Sequence, residues 1–142
     1  MASVFYNNYY EELGKGNVDY STDSFKLMLM TDSYTPNVDT EAFRADVSNE
    51  ASGTGYTAGG QAVASVTLTQ DNTNDRAVVD FADVVFSTVT LSDIDGAILY
   101  KDNGSAIADT LICYIDFTEG SQDVVANDFT VTPDVAGVLT IG

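Results

Sequence analysis

The chain has 142 residues, which fits one domain, and 44% of them are apolar, which is enough for a buried core. Its 22 Asp and Glu stand against five Lys and Arg, so the net charge is −17, and it has no His and one Cys. This composition excludes Ser-His-Asp and Cys-His catalysis and a four-ligand structural zinc site. It also predicts no binding to nucleic acid or to an anionic membrane, because both require clustered basic residues.

The N-terminal segment shows helical spacing of its apolar residues. These residues are Phe5, Tyr6, Tyr9, Tyr10 and Leu13. The spacing predicts one short amphipathic helix that ends at Gly14 or Gly16. We interpret residues 1–16 as an N-terminal helical arm and residues 17–142 as a β-sandwich domain. The first residues contain neither a basic region nor an apolar run, so no signal peptide is expected.

After the arm the hydrophobic pattern changes to period two. Segment 25–30 is almost entirely apolar, which predicts a central strand. One helical turn is expected within 40–47. Seven further strands are predicted at 63–69, 77–81, 84–91, 96–101, 110–117, 129–132 and 137–141.

Short polar segments separate the predicted strands. Residues 71–75 (Asp-Asn-Thr-Asn-Asp) predict a tight turn, and residues 102–104 (Asp-Asn-Gly) predict a hairpin turn. About eight strands at spacings of about 8–12 residues are typical of a β-sandwich or a barrel. The sequence therefore predicts a mainly β, single-domain antiparallel β-sandwich, jelly-roll or immunoglobulin-like, with one short N-terminal helix.

Most aromatic residues of the strands fall at core-facing positions. These are Phe25, Phe81, Phe86, Phe117 and Phe129. Core packing is the favoured interpretation for them. The single Cys113 lies in an apolar stretch, which predicts a buried, unreactive side chain.

Two acidic segments are candidates for a calcium site. Residues 71–75 offer several oxygen ligands, and Asp93 and Asp95 offer a further pair. Neither segment has the Gly and the Glu that an EF-hand loop requires, and turns are rich in Asp and Asn in any case. With 22 acidic residues, paired carboxylates also arise by chance. No catalytic residue, metal or cofactor is predicted.

The Gly-rich segment 53–60 is the candidate contact loop. It resembles a phosphate-binding loop in composition, but the Lys and Ser or Thr that such a loop requires do not follow it. A loop with positive-φ turns is the simpler interpretation. Together with the arm it gives the predicted interface, which consists of Phe5, Tyr6, Tyr9, Tyr10, Leu13, Gly55 and Tyr56.

Several blocks of the sequence resemble small virion proteins of tailed bacteriophages. The blocks are 23–36, 49–60, 97–102, 112–117 and 137–141, and they occur in the same order. Segment 49–60 (Asn-Glu-Ala-Ser-Gly-Thr-Gly-Tyr-Thr-Ala-Gly-Gly) is the most specific of them. The resemblance implies a structural protein of the virion. It transfers no catalytic or ligand residue, because the family has no such motif.

The function expected from this reasoning is that of a capsid decoration (cement) protein, which binds the outer capsid surface and stabilises the shell. The expected partners are the major capsid protein or another virion protein, and further copies of the chain in a homo-oligomer. A tail, head–tail junction or fibre-attachment component is the alternative. The remaining alternatives are a host-glycan-binding module and, last, a small acid/base hydrolase.

Overall fold

One long strand, β6 (Val84–Lys101), organises the fold, because it pairs with three other strands. The structure is a computed structural model that describes residues 2–134 and 137–141. The other strands are β1 (Ala2–Phe5), β2 (Phe25–Thr31), β3 (Gln61–Ala62), β4 (Thr67–Asp71), β5 (Arg76–Asp80), β7 (Thr110–Asp116), β8 (Gln122–Val131) and β9 (Leu139–Ile141). The helix α1 spans Asn7–Gly14, and a 3-10 turn spans Arg44–Asp46.

The strands form two antiparallel sheets. Within the described residues, the main sheet has the order β1-β7-β6-β2-β3, and β8 pairs with the first half of β6. The smaller sheet has the order β4-β5-β9. The fold is thus the expected mainly β, single-domain sandwich, although its division into six and three strands differs from the four-plus-three division of an immunoglobulin domain.

The centre of the main sheet is covered on both faces. Along β2, Leu27 and Leu29 point into the larger hydrophobic cluster, whereas Met28 and Met30 point into a second cluster on the opposite face. All four side chains are buried. A strand with two buried faces has no polar alternation, which explains the apolar run that predicted a central position.

The small sheet and the helix cover one of these faces. Val79 of β5, Leu139 of β9 and Tyr9 of α1 all belong to the larger cluster. On the other face, Tyr34 packs beside Tyr114 with ring centroids 5.4 Å apart. Among the residues that the structure describes, no helix is long and apolar enough to cross a bilayer.

The first half of β6 is a strand interrupted by bulges. Its buried residues are Val84, Phe86, Val89, Leu91 and Ile94. Successive buried residues are separated by two positions or by three. Each three-residue step contains one extra residue that has no partner on β8, which is a β-bulge. Thr88 and Asp93 occupy these positions, and both have a positive φ, 50° and 59°.

The strand predictions were wrong in several places, and the bulges of β6 explain one of them. Segments 84–91 and 96–101 belong to one strand, because residues 92–95 form part of it rather than a turn. The strand predicted at 63–69 is also displaced, since residues 63–66 lie between β3 and β4. The turn at 71–75, the hairpin after β6 and the helical turn within 40–47 are confirmed.

The predicted division into an arm at 1–16 and a sandwich at 17–142 does not describe the packing. β1 pairs with β7, with Val4 opposite Tyr114 and Phe5 opposite Cys113. The helix begins only at Asn7, because the residues before it belong to the sheet. Cys113 is buried as expected.

Candidate docking face

All five basic side chains are bonded to carboxylates of the same chain. The pairs are Lys15–Glu11 at 2.6 Å, Lys26–Asp102 at 3.4 Å, Arg44–Asp109 at 2.8 Å, Arg76–Asp71 at 2.9 Å and Lys101–Asp23 at 3.0 Å. The remaining carboxylates outnumber these pairs and make the surface strongly negative. A surface region with few charged side chains is therefore unusual on this molecule.

Such a region lies on the solvent side of the β6–β8 ribbon. We call it the outer face and define it by Val85, Ser87, Thr88, Thr90 and Ser92 of β6, Val125, Ala126 and Thr130 of β8, and Thr54 of the neighbouring loop. All nine residues are exposed and uncharged, and two exposed carboxylates of β8, Asp123 and Asp128, lie beside them. Val125 is 75% exposed and Val85 is 40% exposed.

The outer face is continuous across three segments of backbone. Thr54 forms an isolated bridge with Thr90, whose N–H donates to the Thr54 carbonyl at 2.9 Å. On the other side, the Ala126 N–H donates to Thr90 Oγ1 at 3.0 Å. Val85 lies opposite Thr130 in the β6–β8 register.

Side chains satisfy the backbone at the bulges. The N–H of Thr88 donates to Asp128 Oδ1 at 2.8 Å, and the N–H of Asp93 donates to Asp123 Oδ1 at 2.9 Å. Each carboxylate thus accepts a hydrogen bond from a bulge residue, which has no partner in the strand pairing. Because the irregular positions are held in this way, the outer face has a defined shape before any partner arrives.

The loop 51–60 lies against β6 and β2 with very little space between the backbones. A Cβ at Gly53 would collide with the carbonyl oxygen of Thr90, and one at Gly60 would collide with that of Leu27. Gly60 also has φ 76°, which disfavours any other residue. The glycines in this loop therefore allow close packing onto the sheet.

Glu50 holds the loop through one carboxylate oxygen. Its Oε1 accepts a hydrogen bond from the Tyr56 hydroxyl at 2.8 Å and another from the Gly59 N–H at 2.6 Å. The same Tyr56 hydroxyl accepts from the Leu29 N–H at 3.0 Å. Burial, and next the Glu50 charge, raise the pKa of Tyr56 well above its usual value.

A second set of contacts fixes the end of the loop. The Tyr100 hydroxyl donates to the Gly59 carbonyl at 2.6 Å, and the Arg44 guanidinium lies 5.4 Å from the centre of the Tyr100 ring. Arg44 also pairs with Asp109, which is 1% exposed and accepts from the Asn103 N–H at 2.7 Å. The loop is therefore anchored to the sheet by buried polar contacts.

The residues of the predicted interface differ in their exposure to solvent. Tyr6 and Tyr9 are buried in this chain's own cores, at 0% and 1% exposure, so they present no surface to a partner. Phe5 and Leu13 pack partly against the larger cluster. Of the five arm residues, Tyr10 alone is largely exposed, at 56%.

The two loop residues of the predicted interface also differ. Gly55 is exposed and lies beside Thr88, at the border of the outer face. Tyr56 directs its hydroxyl inward to Glu50, and its ring packs 5.7 Å from that of Phe86. Tyr56 therefore anchors the loop, whereas Gly55 remains accessible.

Among the candidate calcium residues, the carboxylate of Asp71 is engaged by the turn that follows it. Asp71 accepts from the N–H groups of Thr73 and Asn74, from the Asn74 amide and from Arg76. The side-chain bond from Asn74 is the largest cause that lowers its pKa. Across residues 2–134 and 137–141, no three Asp, Glu or Cys side chains converge on a possible metal position.

The chain matches no protein-family model, and it has no significant match among curated proteins or solved structures. Sequence reasoning missed the β6–β8 part of the outer face. The signal was present, because residues 84–92 and 51–70 contain no charged residue in a chain of net charge −17.

Proposed function

We propose that this chain is a structural protein of a tailed-bacteriophage virion, a decoration protein that binds the outer capsid surface through its outer face. The observation that carries the proposal is the continuous group of nine exposed, uncharged residues on a molecule of charge −17. Charged residues are depleted at the cores of protein interfaces, because each must lose its hydration when a partner docks. The nine residues of the outer face avoid that cost, and the neighbouring carboxylates of Asp123 and Asp128 already accept backbone hydrogen bonds.

Two further observations support a binding role. The backbone of the outer face is held by the carboxylates of Asp128 and Asp123, so little conformational entropy is lost on docking. The blocks that resemble tailed-phage virion proteins include segment 49–60, which forms the anchored loop beside this face. Many modest contacts, repeated over many copies, then stabilise a shell through avidity.

The tyrosines do not favour a glycan-binding surface. A sugar-stacking platform needs several exposed aromatic rings, and seven of the eight tyrosines are buried or half-buried. Tyr10 is the exposed one. We therefore propose no second function on this basis.

Immunogold electron microscopy on virions of the phage that encodes the chain tests its location. Gold spread over the heads is the result expected for a decoration protein. Gold confined to the neck or tail would favour the junction, tail or fibre-attachment alternative. Particles without gold would contradict a surface location on the virion.

A matched pair of variants tests the face itself. Val125→Glu places a charge on the outer face, whereas Ile107→Glu places the same charge on the loop between β6 and β7. The two side chains are equally exposed, at 75% and 76%. Co-sedimentation with shells should weaken about tenfold or more for Val125→Glu and remain unchanged for Ile107→Glu. Equal binding by both variants would exclude the outer face as the contact.

A further inference from the structure

The strand β4 is one edge of the small sheet. It pairs with β5 over five consecutive residues, and the described residues place no strand along its other side. Every second residue of such a strand directs its N–H and C=O away from its partner. An edge of this kind is a template for another strand.

The usual protections of an edge are missing from β4. Its sequence Thr-Leu-Thr-Gln-Asp contains no Lys and no Pro, and its pairing with β5 is regular, without a bulge. The one charged residue is Asp71, whose carboxylate Arg76 contacts at 2.9 Å. The other four residues of β4 carry no charge that would oppose pairing by a second strand.

Leu68 shows which face such a pairing would extend. Leu68 lies opposite Val79, so the two side chains project from the same face of the small sheet. Val79 is fully buried in the larger cluster, but Leu68 is 51% exposed and does not belong to that cluster. An apolar side chain on the core side of the sheet is thus left partly uncovered.

The charge distribution identifies the strand that can approach this edge. Two chains of charge −17 repel each other, so contact between copies requires surfaces without carboxylates. β4 belongs almost entirely to the uncharged segment 51–70. A second copy of the same edge therefore meets it without like charges in contact.

We propose that two copies of the chain pair antiparallel through β4, around a two-fold axis at Leu68, and so join two three-stranded sheets into one of six strands. In this register Leu68 faces Leu68 of the second copy, and Thr67 faces Thr69. Asp71 then lies near Ser65 of the second copy, which precedes β4 and is not extended, so the two Asp71 carboxylates stay apart. The dimer does not depend on the proposed virion function and can be tested without it.

Sedimentation velocity on the full chain is the first test. We expect a species of about twice 15.1 kDa at high protein concentration, with an association constant that rises as salt screens the repulsion. A monomer at every concentration and salt level would overturn the proposal.

Two variants with the same change in net charge locate the contact. Leu68→Lys places two lysines opposite each other and should lower the association constant about tenfold or more. Ile107→Lys changes the net charge equally at a distant exposed position and should leave dimerisation unaltered. Equal effects of the two substitutions would show that the β4 edge is not the contact.

A cysteine at the axis tests the register. Leu68→Cys should give a disulfide-linked dimer under mild oxidation, because opposite residues of antiparallel strands lie within disulfide reach. Cys113 does not compete, since it is fully buried and burial raises the pKa of its thiol. Ile107→Cys is the exposed control. A dimer that cross-links no better at Leu68 than at Ile107 would overturn the proposed axis.

Discussion

At the scale of single residues, tyrosine hydroxyls supply much of the buried polar structure. Tyr6 and Tyr34 share a hydrogen bond of 2.6 Å, and the Tyr34 hydroxyl donates to Glu41 at 2.7 Å. Tyr9 and Tyr20 share another of 2.8 Å. Each ring adds apolar area to the core while its hydroxyl finds a partner, which is the condition for burying a tyrosine at low cost.

Among the tyrosines, Tyr56 gives the clearest test of how much a hydroxyl contact contributes to stability. Tyr56→Phe removes the donor to Glu50 and the acceptor for the Leu29 N–H, and leaves both groups without that partner in a partly buried site. We expect the free energy of unfolding to fall by about 1–3 kcal/mol. Urea denaturation measures this change.

Tyr10→Phe is the control for that experiment, because Tyr10 is largely exposed. It should alter the free energy of unfolding by less than about 0.5 kcal/mol. If Tyr56→Phe were equally neutral, the hydroxyl contacts of Tyr56 would not anchor the loop.

At the scale of elements, the N-terminal strand and helix are part of the sandwich. Tyr9 lies in the larger cluster at 1% exposure, whereas its neighbour Tyr10 is 56% exposed. Tyr9→Ala should therefore cost about 3–5 kcal/mol of stability, and Tyr10→Ala less than about 1 kcal/mol. Thermal and urea unfolding of the two variants measure the difference.

The variants Tyr9→Ala and Tyr10→Ala also distinguish residues that pack in the core from residues that contact a partner. Tyr10→Ala retains a folded chain, so weaker binding to shells would assign Tyr10 a contact with the partner. Unchanged binding would show that Tyr10 does not contact the shell. Similar stability losses in the two variants would contradict an inward Tyr9 and an outward Tyr10.

The sequence predicted those elements whose signal is local. β2, the turn at 71–75 and the hairpin after β6 follow from apolar runs and turn residues, and each is present. The helix began late because the sheet pairing of Phe5 with Cys113 is a long-range contact. The sequence did not join segments 84–91 and 96–101 into one strand, because the partner that holds the bulge between them, Asp123, is about 30 residues distant in sequence.

The candidate site was predictable only in part, for a similar reason. The Gly-rich composition of 53–60 indicated a loop near a surface contact, and Gly55 does lie beside the outer face. The pairing of Thr54 with Thr90, and of β6 with β8, joins segments that are distant in sequence. Composition shows that each segment is uncharged, but the fold is needed to place them on one face.

At the scale of the whole molecule, charge and the buried tyrosines act together at high pH. Burial is the main cause that raises the pKa of Tyr100 and Tyr114 to about 12, and it also raises the pKa of Tyr6, Tyr20 and Tyr34. In the unfolded chain these groups titrate near pH 10. The stabilisation they provide is therefore complete below about pH 10, and it is lost as the pH rises through the folded-state values.

The free energy of unfolding should then be nearly constant up to about pH 9 and fall between about pH 10 and 12, by about 1.4 kcal/mol per pH unit for each buried tyrosine. Urea denaturation across this range measures the slope, and tyrosinate absorbance reports ionisation. Tyr114→Phe removes one titrating group and should make the slope shallower by about 1.4 kcal/mol per pH unit. Since each new tyrosinate adds to a charge of −17, ionisation and loss of the β-sheet circular dichroism should coincide. Tyrosinate that formed throughout the chain while the sheet signal persisted would mean that these hydroxyls are open to solvent.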